Sequence, residues 1–105
     1  MANDTFKALS HPIRRDIVER LSGGASTVGD ATRDLGVSKP TISRHLKVLE
    51  EAGVVTRVID GRTHRLALAP DALADTVEWI EQQRSRWEHL FDVVGEYLEE
   101  RKERE

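Results

Sequence analysis

The chain has 105 residues, enough for one compact domain and too few for most enzyme architectures. Hydrophobic residues make up 38%, with two Phe, one Tyr and two Trp, so the core must be small and aliphatic; with no cysteine, disulfides, thiolate catalysis and thiolate metal ligands are excluded. The net charge of −3 has the wrong sign for a nucleic-acid binder, but residues 1–69 carry 11 Lys and Arg against 8 Asp and Glu, and residues 70–105 carry 5 against 11.

The apolar runs are far shorter than the roughly 20 residues that cross a bilayer, and Met1-Ala2-Asn3-Asp4 lacks the basic and apolar stretch of a signal sequence. A soluble, unexported, cytoplasmic protein without membrane association is expected. Punctuation at Gly23-Gly24, Gly36, Gly53, Asp60-Gly61 and Pro70 divides the chain into five helical patterns and one hairpin.

A short first helix around Thr5 to Leu9 presents Phe6 and Leu9 on one side. Ser10, ahead of Pro12, starts a second helix, with proline in its tolerated first turn. Ile13, Ile17 and Leu21 line one face of it until Ser22-Gly23-Gly24. The third helix is capped near Ser26 or Thr27, turns Val28, Ala31 and Leu35 inward, and ends at Gly36. After a turn at Gly36-Val37, Ser38 caps a fourth helix, Pro40 sits in its first turn, and Ile42, Leu46 and Leu49 form its apolar stripe up to Ala52-Gly53. Two short helices joined by a tight glycine turn, at about 26–52, are a helix-turn-helix.

Beyond Gly53 the apolar period changes from 3.6 to 2. Val54, Thr56 and Val58 alternate with Val55, Arg57 and Ile59, Asp60-Gly61 makes a two-residue turn, and Leu66 and Leu68 alternate on the return strand. A hairpin in this place, about 54–68, is a wing. Pro70-Asp71 then opens a last helix over about 71–101, roughly 45 Å long at 1.5 Å per residue.

Leu73, Val77, Ile80, Trp87, Phe91, Val94 and Leu98 recur on that helix at steps of four and three, broken at Arg84, which is a heptad seam; Trp79, Leu90 and Tyr97 form a second row. The competing reading packs the whole stripe on its own domain. A face this wide on so short a chain would leave apolar area exposed, so a homodimer is expected, with Phe6 and Leu9 beside the helix.

The fourth helix carries the functional signal. From Lys39 to Lys47 it has three fixed positive charges and no negative one. With Ile42, Leu46 and Leu49 facing inward, Lys39, Thr41, Ser43, Arg44 and Lys47 project outward, beside Ser38 at the cap, from the end of the helix that enters a major groove. Arg44 has the fork geometry for guanine, Thr41 and Ser43 are short adaptable donors, and Lys39 and Lys47 suit phosphate. His45 is expected to donate to a phosphate from the groove edge. On the hairpin, Arg62 follows the turn and Arg57 and Arg65 lie on the strands, suited to an adjacent minor groove, with His64 a strand-surface residue. A solvated surface is the competing reading for each; the turn before this helix and the wing after it argue against that.

No catalytic, metal or cofactor site is expected. His11, His45, His64 and His89 fall in four different elements without ligand spacing, and His89 with Asp92 is an i, i+3 pair explained by chance on so acidic a helix. The tail from Glu96 to Glu105 mixes Glu with Arg and Lys as a solvated helix end does.

Three stretches of the sequence resemble the ArsR family, the arsenic-repressor type of winged-helix regulator. They are Phe6-x-Ala8-Leu9-Ser10-His11-Pro12-x-Arg14-Arg15-x-Ile17, the run from Leu35-Gly36-Val37-Ser38-Lys39 to His45-Leu46-Lys47-Val48-Leu49, and Ala52-Gly53-Val54-Val55 followed by Gly61-Arg62. The resemblance implies a homodimer that binds a palindromic double-stranded DNA operator and represses transcription. Metal-sensing members carry a Cys-x-Cys-type motif in the third helix, where this chain has Val28 to Asp34 without thiols, and others use a last-helix His and carboxylate set, where it has only His89. Trp79-Ile80-Glu81, Arg86-Trp87-Glu88 and Glu96-Tyr97-Leu98 are similar to a non-metal branch, for which the resemblance names no inducer. Leu66 stands where many members have Tyr.

The expected protein is mainly α with a two-stranded β-wing, a single winged helix-turn-helix over 1–105 in the order α-α-α-α-β-β-α, dimerising through its terminal helices. Its expected function is sequence-specific DNA binding as a homodimeric repressor. The alternatives are a winged-helix module that binds protein and not DNA, and a small enzyme using His45, His89 and nearby carboxylates.

Overall fold

A computed structural model describes residues 2–104, with side chains from Asp4; Met1 and Glu105, the ends of the expected 1–105 unit, lie outside the described residues. The elements are α1 (Ala2–Ala8), α2 (Pro12–Leu21), β1 (Ser26–Thr27), α3 (Val28–Ala31), α4 (Lys39–Glu51), β2 (Val55–Asp60), β3 (Thr63–Leu68) and α5 (Pro70–Arg104). The five helices and the hairpin match the expected order.

Three local details differ from expectation. The cap of α2 is His11, whose Nδ1 accepts the Ile13 N–H at 3.1 Å, while the Ser10 hydroxyl donates back to Lys7 O and closes α1. The third helix stops at Ala31 and not at Gly36. Thr32 donates its hydroxyl to Val28 O, Arg20 reaches across to Ala31 O and Arg33 O, and Asp34 adopts a left-handed φ of 55°, so the backbone that would continue the helix is engaged elsewhere. The connection to α4 is thus residues 32–38, with Leu35 half-buried in it.

The sheet has three strands and not two, in the order β1-β3-β2, all antiparallel. Ser26 and Thr27 pair with Leu66 and Arg65, so the residues expected to cap a helix first add an edge strand, and Thr27 then caps α3 by accepting the Asp30 N–H. The hairpin pairs Asp60 with Thr63, which moves the turn one residue on, to Gly61-Arg62. Gly61 has φ 59° while Arg62 is not in the left-handed region, the pattern of a two-residue turn whose first position needs glycine.

The core is formed by Ala8, Ile17, Leu21, Ala31, Leu46, Leu49, Val54, Val55 and Leu66, with Ile13, Val28, Leu35 and Ile42 packed around it. It is aliphatic, and it includes Leu66 at full burial. A Schellman ending joins α4 to the sheet: Gly53, with φ 74°, donates to Glu50 O and Val54 donates to Leu49 O, each at 3.0 Å. Val54 O then accepts the Ala69 N–H at 2.8 Å, fixing the start of α5 against the end of α4.

Leu49 is fully buried at the junction of α4 and β2. Leu49→Ala is expected to lower stability by about 2–5 kcal/mol, from lost transfer energy and the residual cavity. Urea unfolding checks this, and a loss near zero would contradict the placement of Leu49 in the core.

Candidate nucleic-acid interface

The amphipathic sequence of α4 determines which of its side chains reach solvent. Leu46 and Leu49 are buried and Ile42 and Val48 are half-buried against the core. Lys39, Ser43, Arg44 and Lys47 are exposed, as the 3.6-residue period requires. Ser38 holds the helix start: its Oγ accepts the Thr41 N–H at 3.4 Å and lies 3.0 Å from Thr41 Oγ1. Ser38 and Thr41 therefore spend hydroxyl capacity on each other, and Thr41 is half-buried. Lys47 lies 3.8 Å from Glu51, a loose surface pair, while Lys39 and Arg44 make no ion pair among the described residues.

His45 departs from expectation. It is only 8% exposed and faces α2, with its ring against that of His11, the centroids 4.3 Å apart and the planes tilted by 45°. Nη1 of Arg14 lies 3.2 Å from His45 Nδ1, and the same guanidinium donates to Ala8 O at 2.6 Å and Lys7 O at 3.1 Å. Burial, then the neighbouring His11 and Arg14, lower the His45 pKa. His45 is thus an inward-facing residue and not a groove-edge donor. The angular position explains the reversal: one residue before Leu46 and four before Leu49, His45 falls at the margin of the apolar stripe. Spacing could not reveal its union with His11, since the two are 34 residues apart.

On the hairpin, Arg57 is drawn toward α4: its Nε donates to Glu50 Oε1 at 2.6 Å and its Nη1 lies 3.1 Å from His64 Nδ1. Arg57 thus serves first to brace the wing on the helix, and His64 is tied to that brace, half-buried. Arg62, in the turn itself, and Arg65 are exposed and free of ion pairs among the described residues. An open groove between the wing and α3 is lined by Thr27, Val28, Gly29, Arg57, Arg62, Thr63 and His64. Five cations, Lys39, Arg44, Lys47, Arg62 and Arg65, are thereby left on solvent-facing positions of α4 and the hairpin.

The expected dimer residues divide in two. Leu9 and Leu73 are half-buried, Leu9 against the core. Phe6 is 36% exposed and meets Trp79 edge-on at 5.3 Å, and Thr76 is the buried residue of α5. Past that contact Val77, Ile80, Trp87, Phe91, Val94 and Leu98 are all exposed, with Phe91 at 65%. The Trp87 and Phe91 rings lie 5.9 Å apart, centroid to centroid, one turn from each other on the exposed helix. No cluster of three metal-ligating side chains, and no helix apolar enough to cross a membrane, occurs among the described residues.

Comparisons with known proteins bear on this geometry. A family model described as a helix-turn-helix domain matches residues 9–58. The chain is 38% identical over 78 residues to the transcriptional repressor SdpR of Bacillus subtilis, covering 74% of this chain and 87% of that protein. It is 45% identical over 69 residues to the HTH-type transcriptional regulator Rv2034 of Mycobacterium tuberculosis, covering 66% of this chain and 64% of that one. Among solved structures, the ArsR family transcriptional regulator RHA00566 superposes with a TM-score of 0.77 at 29% identity, over 82% of this chain and 94% of that chain.

The Ser38 cap gives a local test. Ser38→Ala is expected to lower stability by about 1 kcal/mol and to speed hydrogen exchange at the Thr41 amide. An unchanged urea midpoint with unchanged exchange would contradict the cap.

Proposed function

The chain belongs to the ArsR family of winged helix-turn-helix transcriptional regulators, and from that footing we propose that it acts as a homodimeric repressor, with α4 reading a palindromic operator. The observation that carries this reading is the uncovered face of α4, where Lys39, Ser43, Arg44 and Lys47 stand in solvent beside the wing cations Arg62 and Arg65. Arg44 reads a guanine edge, Ser43 and Thr41 make adaptable contacts, and Lys39 and Lys47 neutralise phosphates, with Ser38 presenting the helix start. Arg62 enters or borders the adjacent minor groove, and Arg65 supports it along the backbone. Arg57 contributes by setting the wing angle through Glu50.

The whole chain is read as one winged-helix unit working in the cytoplasm. Two copies pair through α5, burying Val77, Ile80, Trp87, Phe91, Val94 and Leu98 with Phe6 at the margin, because water-exposed apolar area of this extent favours association. Two-fold symmetry then sets the two α4 helices into successive major grooves, about one helical turn of DNA apart. No catalysis, metal or cofactor is assigned: His11 and His45 are spent on each other, and His64 on Arg57. The reading as a protein-binding module has only Val58 and Ile59, exposed on the wing, to support it, whereas the exposed face of α4 is polar and cationic.

The test is selection of duplexes from a random-sequence library, followed by titration of the best binder at several salt concentrations. Affinity is expected to fall steeply with salt as phosphate-bound cations are released. A chain that ignores duplex at low salt would overturn the reading. Arg44→Ala is expected to weaken the selected duplex by about 1–3 kcal/mol and to relax preference at one position per half-site. Equal losses on selected and random duplex would refute the guanine role. Phe91→Glu is expected to give a monomer by sedimentation with greatly weakened operator binding, and an unchanged mass would count against pairing through α5.

A further inference from the structure

The contact between Arg14 and His45 lies where three helices meet, and the chemistry of its two partners is restrictive. A guanidinium has donors and no acceptor, so the His45 Nδ1 that stands 3.2 Å from Arg14 Nη1 must present a lone pair. His45 is therefore neutral in this arrangement, with its proton on Nε2. His11, whose tilted ring lies 4.3 Å from it between centroids, uses its own Nδ1 to accept the Ile13 N–H and must also leave that atom unprotonated. The two rings and the guanidinium thus share a single positive charge, and a second one meets both a donor facing a donor and cation repulsion.

The same Arg14 donates to Lys7 O and Ala8 O, the closing carbonyls of α1, and α1 lies against α5 through Phe6 and Trp79. One side chain therefore joins the layer that carries the apolar stripe of α5 to the helix that carries Arg44. We propose that Arg14 is a positioning residue for DNA recognition: it ties the end of α1 to the His45 ring on α4, and acid releases the tie by protonating Nδ1. This inference rests on the reading of α4 as the DNA-reading helix.

The charged groups around His45 on the packed elements favour its neutral form. Arg14 of α2 and His11 at the α2 cap lie beside the ring. On α1, Asp4 and Lys7 line a groove with Val48, Glu51 and Ala52, about one turn further along α4. On β2, Arg57 is engaged by Glu50. No carboxylate pairs with the ring itself among the described contacts. Burial and the two cationic-capable neighbours hold His45 below the ordinary histidine value of 6.5 in the folded chain. On acidification the unfolded chain takes up this proton first, so stability tied to the neutral ring is complete above about pH 6.5 and is lost as pH falls through the folded value.

The sign of the DNA response separates this role from direct contact. A histidine that touches phosphate gains charge in acid and tightens the complex; a histidine that anchors α4 through a lone pair loosens it. The experiment measures affinity of the full chain for the selected duplex at about pH 7.5 and about pH 5.5, in wild type and in His45→Gln, whose amide oxygen accepts a proton donor but does not titrate. Wild-type affinity is expected to drop a few-fold more than that of His45→Gln over this interval, since one linked proton on a ring that titrates below 6.5 holds the difference under about tenfold. Equal pH ratios, or a wild type that tightens relative to the variant, would overturn the proposal. Loss of all duplex binding by the wild type at both pH values would instead defeat the DNA reading, and this inference with it.

Arg14 is tested separately. Arg14→Met is expected to weaken the selected duplex about tenfold at an unchanged solution mass, with Arg14→Lys rescuing little because one ammonium on a single stem does not reproduce the fork that spans three acceptors. Full rescue by lysine would overturn the fork geometry. If Arg14→Met does not fold, nitrogen-15 shifts of the His45 ring in the wild-type chain decide: a protonated Nδ1 at neutral pH overturns the tie, and a bare Nδ1 that gains its proton together with altered α4 amide shifts supports it.

Discussion

The scarcity of apolar side chains able to close a core governs the rest of the molecule. Nine hydrophobic residues are buried among those described, none aromatic, and they come from α1 through β3. They are enough to seat α4 and the sheet, and they leave almost nothing for α5, whose buried residue is a threonine. The chain in consequence extends over 74 × 27 × 22 Å, with a radius of gyration of 20.4 Å. A compact chain of this length would have about 13 Å. The helix-turn-helix part is thus held together from within, while the long helix presents aromatic and aliphatic surface to water.

Arginine does in this fold much of what glycine caps and extra core would do elsewhere. Arg14 and Arg15 take up carbonyls at the end of α1, at Lys7, Ala8 and Leu9, and Arg20 takes those at Ala31 and Arg33 where α3 stops. Helix ends leave carbonyls without intrahelical partners, and a planar guanidinium satisfies two at once while remaining partly solvated. The positive excess of residues 1–69 is therefore divided. Some of it is structural, and the remainder, on α4 and the hairpin, stands in solvent. The net charge of −3 describes neither share, because the acidic residues are concentrated on the projecting helix.

Much of this was legible from residue order alone, since periodicity and punctuation report local structure. The apolar spacing of α4, the Ser38 cap, the change of period at Gly53 and the helical course of α5 all emerge from rules that act within a few residues. The departures come from contacts distant in sequence. Ser26-Thr27 becomes a strand only because Leu66 and Arg65 offer an edge, and α3 is cut short because Arg20 claims its carbonyls from the preceding helix. His45 faces inward because His11 and Arg14 wait there, and Arg57 turns from the groove because Glu50 is near. Each concerns a polar side chain with more than one possible partner, for which the hydrophobic pattern has no preference. Leu9, an apolar residue at an element end, likewise had two surfaces open to it and packs against the core.

The position of α5 in the chain has a consequence for synthesis. Leu66, the last member of the core, precedes Pro70, so during translation the core and the cationic face of α4 are complete in composition before the long helix begins. At about 5–20 residues per second the 35 residues of α5 need a few further seconds. Until they emerge, α1 lacks the surface that Phe6 packs on, and the exposed apolar stripe of α5 does not yet exist. A nascent chain therefore presents the cationic face of α4 before it has the stripe, and under the proposed reading the DNA-reading helix is made before the surface through which two copies would pair.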